Sequence, residues 1–360
     1  MKILHITAIN TLLARSGIPA VVKGLCDHQN GIDGIESRVL SLRAKAEDSG
    51  SPYFDNLGHT RFSEYVKNSQ PDIVIIHDFY HYQYTPIAYC LKRLRIPFVL
   101  EPHGAFGRQA MKKSRLKKLI ANNTIFRGLI KGSAGFIFTN EGEKNDANYK
   151  KEKVFVIPNG IDASAVDNRP QKTFNKDDAP TFYFLGRFDV NHKGLDYLFD
   201  AFDILDKRGE KINVNMYGVG NEQEIAYVHK RIDKIKNLTV VEKGTIYDEE
   251  KVNALRKVNI LLLTSRYEGS PMTILDALSY GNPCLVTPGT NVADEIVTNG
   301  LGWKTELKAE AIADCILRAQ EEYKQNYEVY YERCKKYVLD NFLWDKIACQ
   351  SVEVYKDIIG

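Results

Sequence analysis

An α/β protein made of two successive parallel-sheet units is what this sequence predicts, and three observations predict it. The chain has 360 residues, too many for one ordinary core and suited to two domains of middle size. Short runs rich in Val, Ile and Phe alternate with longer stretches of helical period. Several of these runs, such as 73–76 and 260–263, are apolar on successive residues, as strands with helices on both faces must be.

In chain order the expected strands are 2–7, 36–41, 72–77, 97–101, 135–139 and 154–157, then 181–186, 212–217, 238–242, 258–264 and 283–287. Amphipathic stretches lie between them; Leu195, Leu198, Phe199, Phe202 and Leu205 recur at helical spacing just after Gly194. The stretch from Asn168-Arg169-Pro170 to Ala179-Pro180 is polar, proline-bracketed and without period, which suits a linker. The expected division is therefore 1–167, a linker at 168–180, a second domain at 181–340 and a closing helix at 341–360. On that helix Trp344, Ala348, Ser351, Tyr355, Ile358 and Ile359 share a face, which would pack back onto the first domain.

Composition narrows the function classes. A hydrophobic fraction of 44% and a charged fraction of 26% are those of a soluble globular chain. No apolar run approaches the roughly 18 residues that cross a bilayer. Met1-Lys2-Ile3-Leu4-His5-Ile6 reads as a first strand, not as a signal peptide. Six scattered cysteines with no Cys-x-x-Cys pair read as reduced thiols in a cytoplasmic protein, and no structural zinc site is expected. The net charge of +3 hides an asymmetry: residues 1–150 hold 21 Lys and Arg against 13 Asp and Glu. That excess is too small and too local to imply nucleic acid.

Two cofactor classes are unsupported. The first strand is followed by Ala8-Ile9-Asn10-Thr11-Leu12, with no glycine before Gly17, and Tyr217-Gly218-Val219-Gly220-Asn221 lacks a third glycine, so no dinucleotide fingerprint is present. No Asp-x-Asp occurs, which weighs against a metal-held nucleotide diphosphate, and cationic side chains are expected to do that work. Gly186-Arg187-Phe188-Asp189-Val190-Asn191-His192-Lys193-Gly194 supplies them. Arg187 leaves a strand at its carboxyl end, where open α/β sheets bind ligands, and its fork can grip two phosphate oxygens. Lys193 adds a compact cation before the next helix. A pair of ordinary surface cations is the plainer reading of the same residues.

A second constellation is Tyr267-Glu268-Gly269-Ser270-Pro271-Met272-Thr273-Ile274-Leu275-Asp276. Ser270 suits an N-cap and Pro271 a first helical position, and the free N–H groups beyond them would face an anion. An acid beside such a site needs a hydroxyl or a cation to meet it, and Glu268 reads as a partner of vicinal sugar hydroxyls. Third is Glu101-Pro102-His103-Gly104, where His103 follows a strand and Gly104 permits close backbone approach.

These motifs, in this order, resemble glycosyltransferase family 4, the retaining sugar-nucleotide transferases of GT-B architecture. The resemblance takes in Gly17, His103-Gly104, Ile157-Pro158-Asn159-Gly160-Ile161-Asp162, Gly186-Arg187 with Lys193-Gly194, Gly218-Val219-Gly220, Gly244, Ser265 with Glu268-Gly269-Ser270-Pro271, Ala277 to Pro283, and Phe342 to Ala348. It implies two Rossmann-like domains facing a central cleft, with the C-terminal helix crossing back to the first. It implies that Arg187 and Lys193 bind the donor diphosphate and that Glu268 contacts the sugar. His103 would lie at the sugar's far edge, and Gly17 would let its loop close over the phosphates. Gly218, Gly269, Ser270, Met272 and Thr273 join the donor site. The family usually carries Glu eight positions after its first Glu, to hold the ribose; Asp276 stands there. The implied reaction moves a hexosyl or N-acetylhexosaminyl unit from a UDP-sugar, or a GDP-sugar, to a glycan, lipid-linked or protein-linked hydroxyl, without a metal, in bacterial-type surface polysaccharide or glycoconjugate synthesis.

The acceptor side is read from two segments. Between Pro102 and Asn140 there is no acidic residue, yet Arg108, Lys112, Lys113, Arg115, Lys117, Lys118, Arg127 and Lys131 interleave with Met111, Leu116, Leu119, Ile120, Ile125, Phe126, Leu129 and Ile130. Such a basic amphipathic helix or helix pair can lie on the inner face of an anionic membrane, or can be a solvated face over an ordinary core. In His77-Asp78-Phe79-Tyr80-His81-Tyr82, Asp78 and Tyr80 could meet an acceptor sugar, with loop packing the competing reading. Two other functions stand against the transferase: a catalytically weak partner or binding subunit of the same fold, and a sugar-nucleotide epimerase.

Overall fold

The computed structural model describes residues 1–8, 17–43, 51–112, 115–149, 151–166, 174–175 and 177–360, without the side chains of 112 and 115. The chain divides into two compact units, one of Met1–Ile161 with Phe342–Gly360 and one of Asp162–Asn341. The first unit thus ends at Ile161 rather than at 167. Most of the expected linker, 168–173 and 176, lies outside the described residues, as does residue 167.

In the first unit the strands are β1 (Lys2–Thr7), β2 (Glu36–Ser41), β3 (Phe54–Asn56), β4 (Ile73–His77), β5 (Phe98–Glu101), β6 (Gly135–Phe138) and β7 (Val154–Val156). They form one parallel sheet in the order β3-β2-β1-β4-β5-β6-β7. In the second unit β8 (Thr181–Arg187), β9 (Asn213–Val219), β10 (Thr239–Glu242), β11 (Ile260–Leu263), β12 (Cys284–Val286) and β13 (Gly302–Lys304) pair in parallel as β10-β9-β8-β11-β12-β13. Each sheet has the doubly wound order of a Rossmann-like unit, reversing direction at its first strand. Both units are therefore of the kind paired in GT-B proteins.

The periodicity located eleven of these strands to within two or three residues. It did not mark β3 or β13, edge strands of three residues each. A run that short carries no readable alternation; β3 is held by partners elsewhere in sequence, with Arg38 donating to both Asp55 oxygens at 2.6 Å.

The last helix, Trp344–Ile359, packs within the first unit against the helix Gly17–Gln29. Trp344 is the anchor. Its ring lies where Cβ atoms on Gly24 and Gly160 would stand, 2.4 Å away in both cases, so two glycines make its socket. Trp344, Ala348, Ser351, Tyr355 and Ile358 are buried, while Ile359 is exposed. Truncating so large a buried ring typically costs about 3–5 kcal/mol. Trp344→Ala should lower the urea midpoint of the first unit's transition accordingly, and an unchanged midpoint would show that the returning helix adds nothing to that core.

Candidate active site

In an open parallel sheet the strand order reverses where two crossover connections leave on opposite faces, and the gap between them admits a ligand. In the second unit that gap lies between the carboxyl ends of β8 and β11. Arg187 is the last residue of β8, and Thr264 and Ser265 follow β11 directly. The sheet thus brings together the loops 188–194 and 264–271, which are 75 residues apart at Lys193 and Glu268.

Their junction is tight. Gly194 has φ +63°, and a Cβ there would stand 2.1 Å from the Thr264 carbonyl oxygen, so only glycine fits. Thr264 Oγ1 donates to the Lys193 carbonyl at 3.1 Å. Arg266 donates to the Asn191 carbonyl at 2.7 Å and to both oxygens of Asp196, at 2.8 and 2.5 Å, clamping the first loop onto the second. Asn291 Nδ2 donates to the Glu268 carbonyl at 2.6 Å. Arg266 and Asn291 were not singled out in the sequence, because a residue that braces a distant loop has no local signature.

Within this frame Lys193 is buried, and its Nζ donates to Glu268 Oε1 at 2.6 Å. Ser265 Oγ donates to the same oxygen at 2.5 Å, and His192 Nε2 lies 3.7 Å from the other. His192 stacks on Tyr267 with centroids 4.3 Å apart, and burial lowers its pKa. Arg187 is exposed, and its guanidinium makes no hydrogen bond or ion pair with any described residue. The site therefore pairs one held cation with one available one.

Three expectations change here. The helix runs Met272–Ser279 with Pro271 at the N-cap position and no side-chain cap, so Ser270 lies outside it and caps nothing. Ile274 N donates to the Pro271 carbonyl at 3.0 Å, the Met272 and Thr273 N–H groups meet no side-chain cap, and among the described residues the buried Thr273 Oγ1 has no hydrogen-bond partner. Asp276 is not presented freely; its carboxylate pairs with Lys251 at 2.6 Å. Gly218 has a packing reason of its own, since a Cβ there would stand 2.3 Å from the Gly186 carbonyl oxygen. Gly269 and Met272 lie at the same loop and helix start, both half-buried.

In the first unit the corresponding gap lies between β1 and β4. The loop after β1, residues 9–16, is outside the described residues; Gly17, with φ +67°, opens the next helix. His103 and Asp78 follow β5 and β4, both with positive φ (+47° and +67°). Asp78 accepts from Phe79 N at 2.6 Å and lies 3.0 Å from His81 Nε2. Tyr80 is not offered to a ligand: its hydroxyl donates to Met111 Sδ at 2.9 Å and accepts from Asn122 at 3.2 Å, and Lys118 Nζ sits 4.6 Å from its ring centroid. Packing is the reading that holds for Tyr80.

The 102–107 loop is latched by Glu143, unnoticed in the sequence. Its buried carboxylate accepts from Gly104 N at 2.5 Å and from Thr139 N at 2.9 Å. Beneath lies a buried group in which His77 Nδ1 is 3.4 Å from Glu101 Oε2, and His103 Nε2 is 3.5 Å from Glu101 Oε1. Among the described residues it is the one grouping whose ligand-type atoms would suit a metal ion, all within 4.8 Å of one another. Burial, aided by the Glu143 charge, pushes the Glu101 carboxyl up to about 8. Burial pushes His103 and His5 down to about 4 and, with the neighbouring imidazoles, His77 well below its ordinary value.

Among the described residues the basic segment is helical at Arg108–Lys112, Arg115–Asn123 and Arg127–Gly132. Its apolar residues divide. Phe126 and Leu129 are buried, whereas Leu116, Leu119, Ile120 and Ile125 are 70%, 53%, 57% and 51% exposed.

Comparison with known proteins matches both units. Residues 11–165 match Glycosyltransferase Family 4, and residues 166–337 match Glycosyl transferases group 1. The chain belongs to glycosyltransferase family 4. It is 28% identical to mannosylfructose-phosphate synthase of Agrobacterium fabrum, over 39% of this chain and 34% of that protein. It is 34% identical to lipopolysaccharide 1,6-galactosyltransferase of Escherichia coli, over 29% of each chain. These matches span about a third of the relatives' length. Anabaena HepE, solved in complex with UDP and glucose, has the same fold, with a TM-score of 0.72, 15% identity and coverage of 99% of this chain and 100% of that one.

The first unit's buried group sets a pH dependence for this family member. Folded Glu101 keeps its proton from the ordinary 4.5 up to about 8, where the unfolded chain has released it, so stability falls as pH rises through that window. Folded His5 and His103 stay neutral from about 4 to 6.5, where the unfolded chain is protonated, so they raise stability with pH. Above pH 6.5 the carboxyl acts alone among these groups. Unfolding free energy should therefore decline from there towards pH 8, and Glu101→Gln should flatten the decline; equal slopes in both proteins would mean that Glu101 is ionised when folded.

Proposed function

We propose that this chain is a retaining glycosyltransferase that moves a hexosyl or N-acetylhexosaminyl unit from a UDP-sugar, with a GDP-sugar as the second choice. The acceptor is a hydroxyl of a glycan, lipid-linked or protein-linked molecule in surface polysaccharide or glycoconjugate synthesis. The observation that carries this reading is the convergence, at the switch point of the second sheet, of Arg187, Lys193, Glu268 and the unpartnered Thr273 hydroxyl. Family membership, the galactosyltransferase relative and the UDP of the HepE complex support the donor class and the acceptor class.

As the C1–O bond of the donor breaks, its electron pair moves onto the diphosphate and the sugar becomes oxocarbenium-like. Arg187, Lys193, Thr273 and the uncapped N–H groups of Met272 and Thr273 stabilise that growing charge, in place of a divalent cation. The acceptor oxygen bonds to C1 on the face the diphosphate leaves, and its proton passes to a phosphate oxygen. Glu268 holds sugar hydroxyls and keeps the buried Lys193 ammonium paired until the donor binds. In this reading His103 is assigned a sugar hydroxyl, and Gly17 opens the helix Gly17–Gln29.

The acceptor side carries a second part of the proposal. Leu116, Leu119 and Ile120 on the helix Arg115–Asn123, with Ile125 in the turn after it, are exposed apolar residues, and Arg108, Lys117, Arg127 and Lys131 are exposed in the same segment. A segment of this kind rests on an anionic membrane, each cation near the surface adding about 1 kcal/mol. Among the described residues no helix is long and apolar enough to cross one. The proposed place of work is the cytoplasmic face of a membrane, reached peripherally.

One observation favours the alternative of a catalytically weak partner subunit: Lys251 occupies Asp276, the residue that stands where the family holds the ribose. Sugar transfer or donor hydrolysis by the isolated chain decides between them. In that assay Arg187→Ala or Lys193→Ala should lower turnover by about 10²-fold or more, on the order of 3 kcal/mol; a near-normal rate would remove them from the leaving-group role. On liposomes, the chain should float with anionic vesicles at low salt, and Leu119→Ser with Ile120→Ser should abolish flotation. No salt-sensitive binding by the unaltered chain would end the membrane reading.

A further inference from the structure

Four polar side chains of the first unit form a buried line whose direction can be read from one end. Gln29 Nε2 donates to Ser351 Oγ at 2.8 Å, and the Ser351 hydroxyl proton is committed to the Ala348 carbonyl at 2.7 Å. Gln29 Oε1 accepts from Ser37 Oγ at 2.7 Å and lies 2.9 Å from His5 Nε2. A carboxamide oxygen only accepts, so His5 carries its proton on Nε2 and its Nδ1 is bare. That Nδ1 is 2.8 Å from His77 Nε2, which therefore donates and leaves His77 Nδ1 bare in turn. His77 Nδ1 lies 3.1 Å from His103 Nε2. Gln29, His5 and His77 are fully buried, so water cannot reset the sequence of donors.

The Glu101 carboxyl does not change the outcome. If its Oε2 carries a proton and donates to His77 Nδ1, its Oε1 is left to accept from His103 Nε2. A proton on Oε1 would instead leave the bare His77 Nδ1 facing two acceptors, Oε2 and His103 Nε2, so the arrangement that pairs every donor with an acceptor keeps the His103 proton on Nε2. We infer that Gln29, His5 and His77 are positioning residues that hold His103 in the Nε2–H tautomer and so present its Nδ1 as a pure hydrogen-bond acceptor. The tautomer follows from the buried line alone. Its use rests on the proposed function: a bare Nδ1 accepts from a sugar hydroxyl and repels a carboxylate, which selects a neutral hexose over a hexuronic acid.

The test uses the full chain labelled with ¹⁵N-histidine, read by long-range ¹H–¹⁵N correlation at neutral pH, with His103→Gln assigning the signals. The expected pattern for His103 is a protonated Nε2 and a bare Nδ1. His77→Gln should preserve it, because the carboxamide can accept from His103 while donating to His5. His77→Phe should mix the tautomers, and Gln29→Leu should do the same if the Phe variant fails to fold. In donor kinetics His77→Phe should raise KM by roughly fivefold, the loss of about one neutral hydrogen bond, with little change in kcat, and His77→Gln should restore it. A His103 protonated on Nδ1 in the unaltered chain would overturn the inference. So would a pattern that no substitution shifts, or a stoichiometric metal on His77, Glu101 and His103. The expected tautomer in a chain that turns over no sugar nucleotide would instead sink the proposed function and the sugar selection, leaving the buried line standing.

Discussion

Parallel pairing is the constraint on which the rest of this structure depends. When every strand of a sheet runs the same way, every strand delivers its carboxyl end to one edge, and chemistry far apart in sequence is collected there. In the second unit this is why Arg187 and Glu268 share a neighbourhood although β9, β10 and their helices come between them in the chain. The ladder alone would set the loops side by side only loosely. Gly194 against the Thr264 carbonyl, with Arg266 across Asn191 and Asp196, makes the spacing definite.

The two units answer the problem of buried polarity in opposite ways. Lys193 and Glu268 remain charged by pairing, and Ser265 supplies a further donor, so the cost of desolvation is met by a neighbour of opposite sign. In the histidine group of the first unit burial outweighs the one acidic neighbour that favours a charged imidazole, Asp78 beside His103. There burial drives imidazoles and carboxyl alike towards their neutral forms, and hydrogen bonds replace ion pairing. A charged pair can exchange partners with an incoming anion; a neutral chain can hold a ring in one tautomer. The kind of polarity each unit buries suits the kind of ligand group proposed for it.

Much of the site was legible because its motifs are local. Gly186-Arg187 ends a strand, Lys193-Gly194 opens a helix, and the stretch from Glu268 to Pro271 precedes another, so a reader of the chain can name Arg187, Lys193 and Glu268. The cap falls at Pro271, one residue beyond Ser270, since Ser and Pro in succession fit two adjacent cap registers. Tyr80 and Asp276 fared differently for a shared reason. Their partners, Met111 and Asn122 for one and Lys251 for the other, lie 25 or more residues away. No local pattern reveals that a polar atom is already engaged.

By itself the sequence determined the alternation of strands and helices, the α/β class with parallel sheets, and the cations and acid at the strand ends, because these follow from side-chain periodicity and backbone preference over a few residues. The tertiary structure alone decided which of those groups are free and which are held: Arg187 open, Lys193 paired, Asp276 neutralised. It also decided that His5, His77 and His103, spread over a hundred residues, form one line with a direction. Hydrogen bonds act over about 3 Å, and only folding brings atoms so far apart along the chain to that distance.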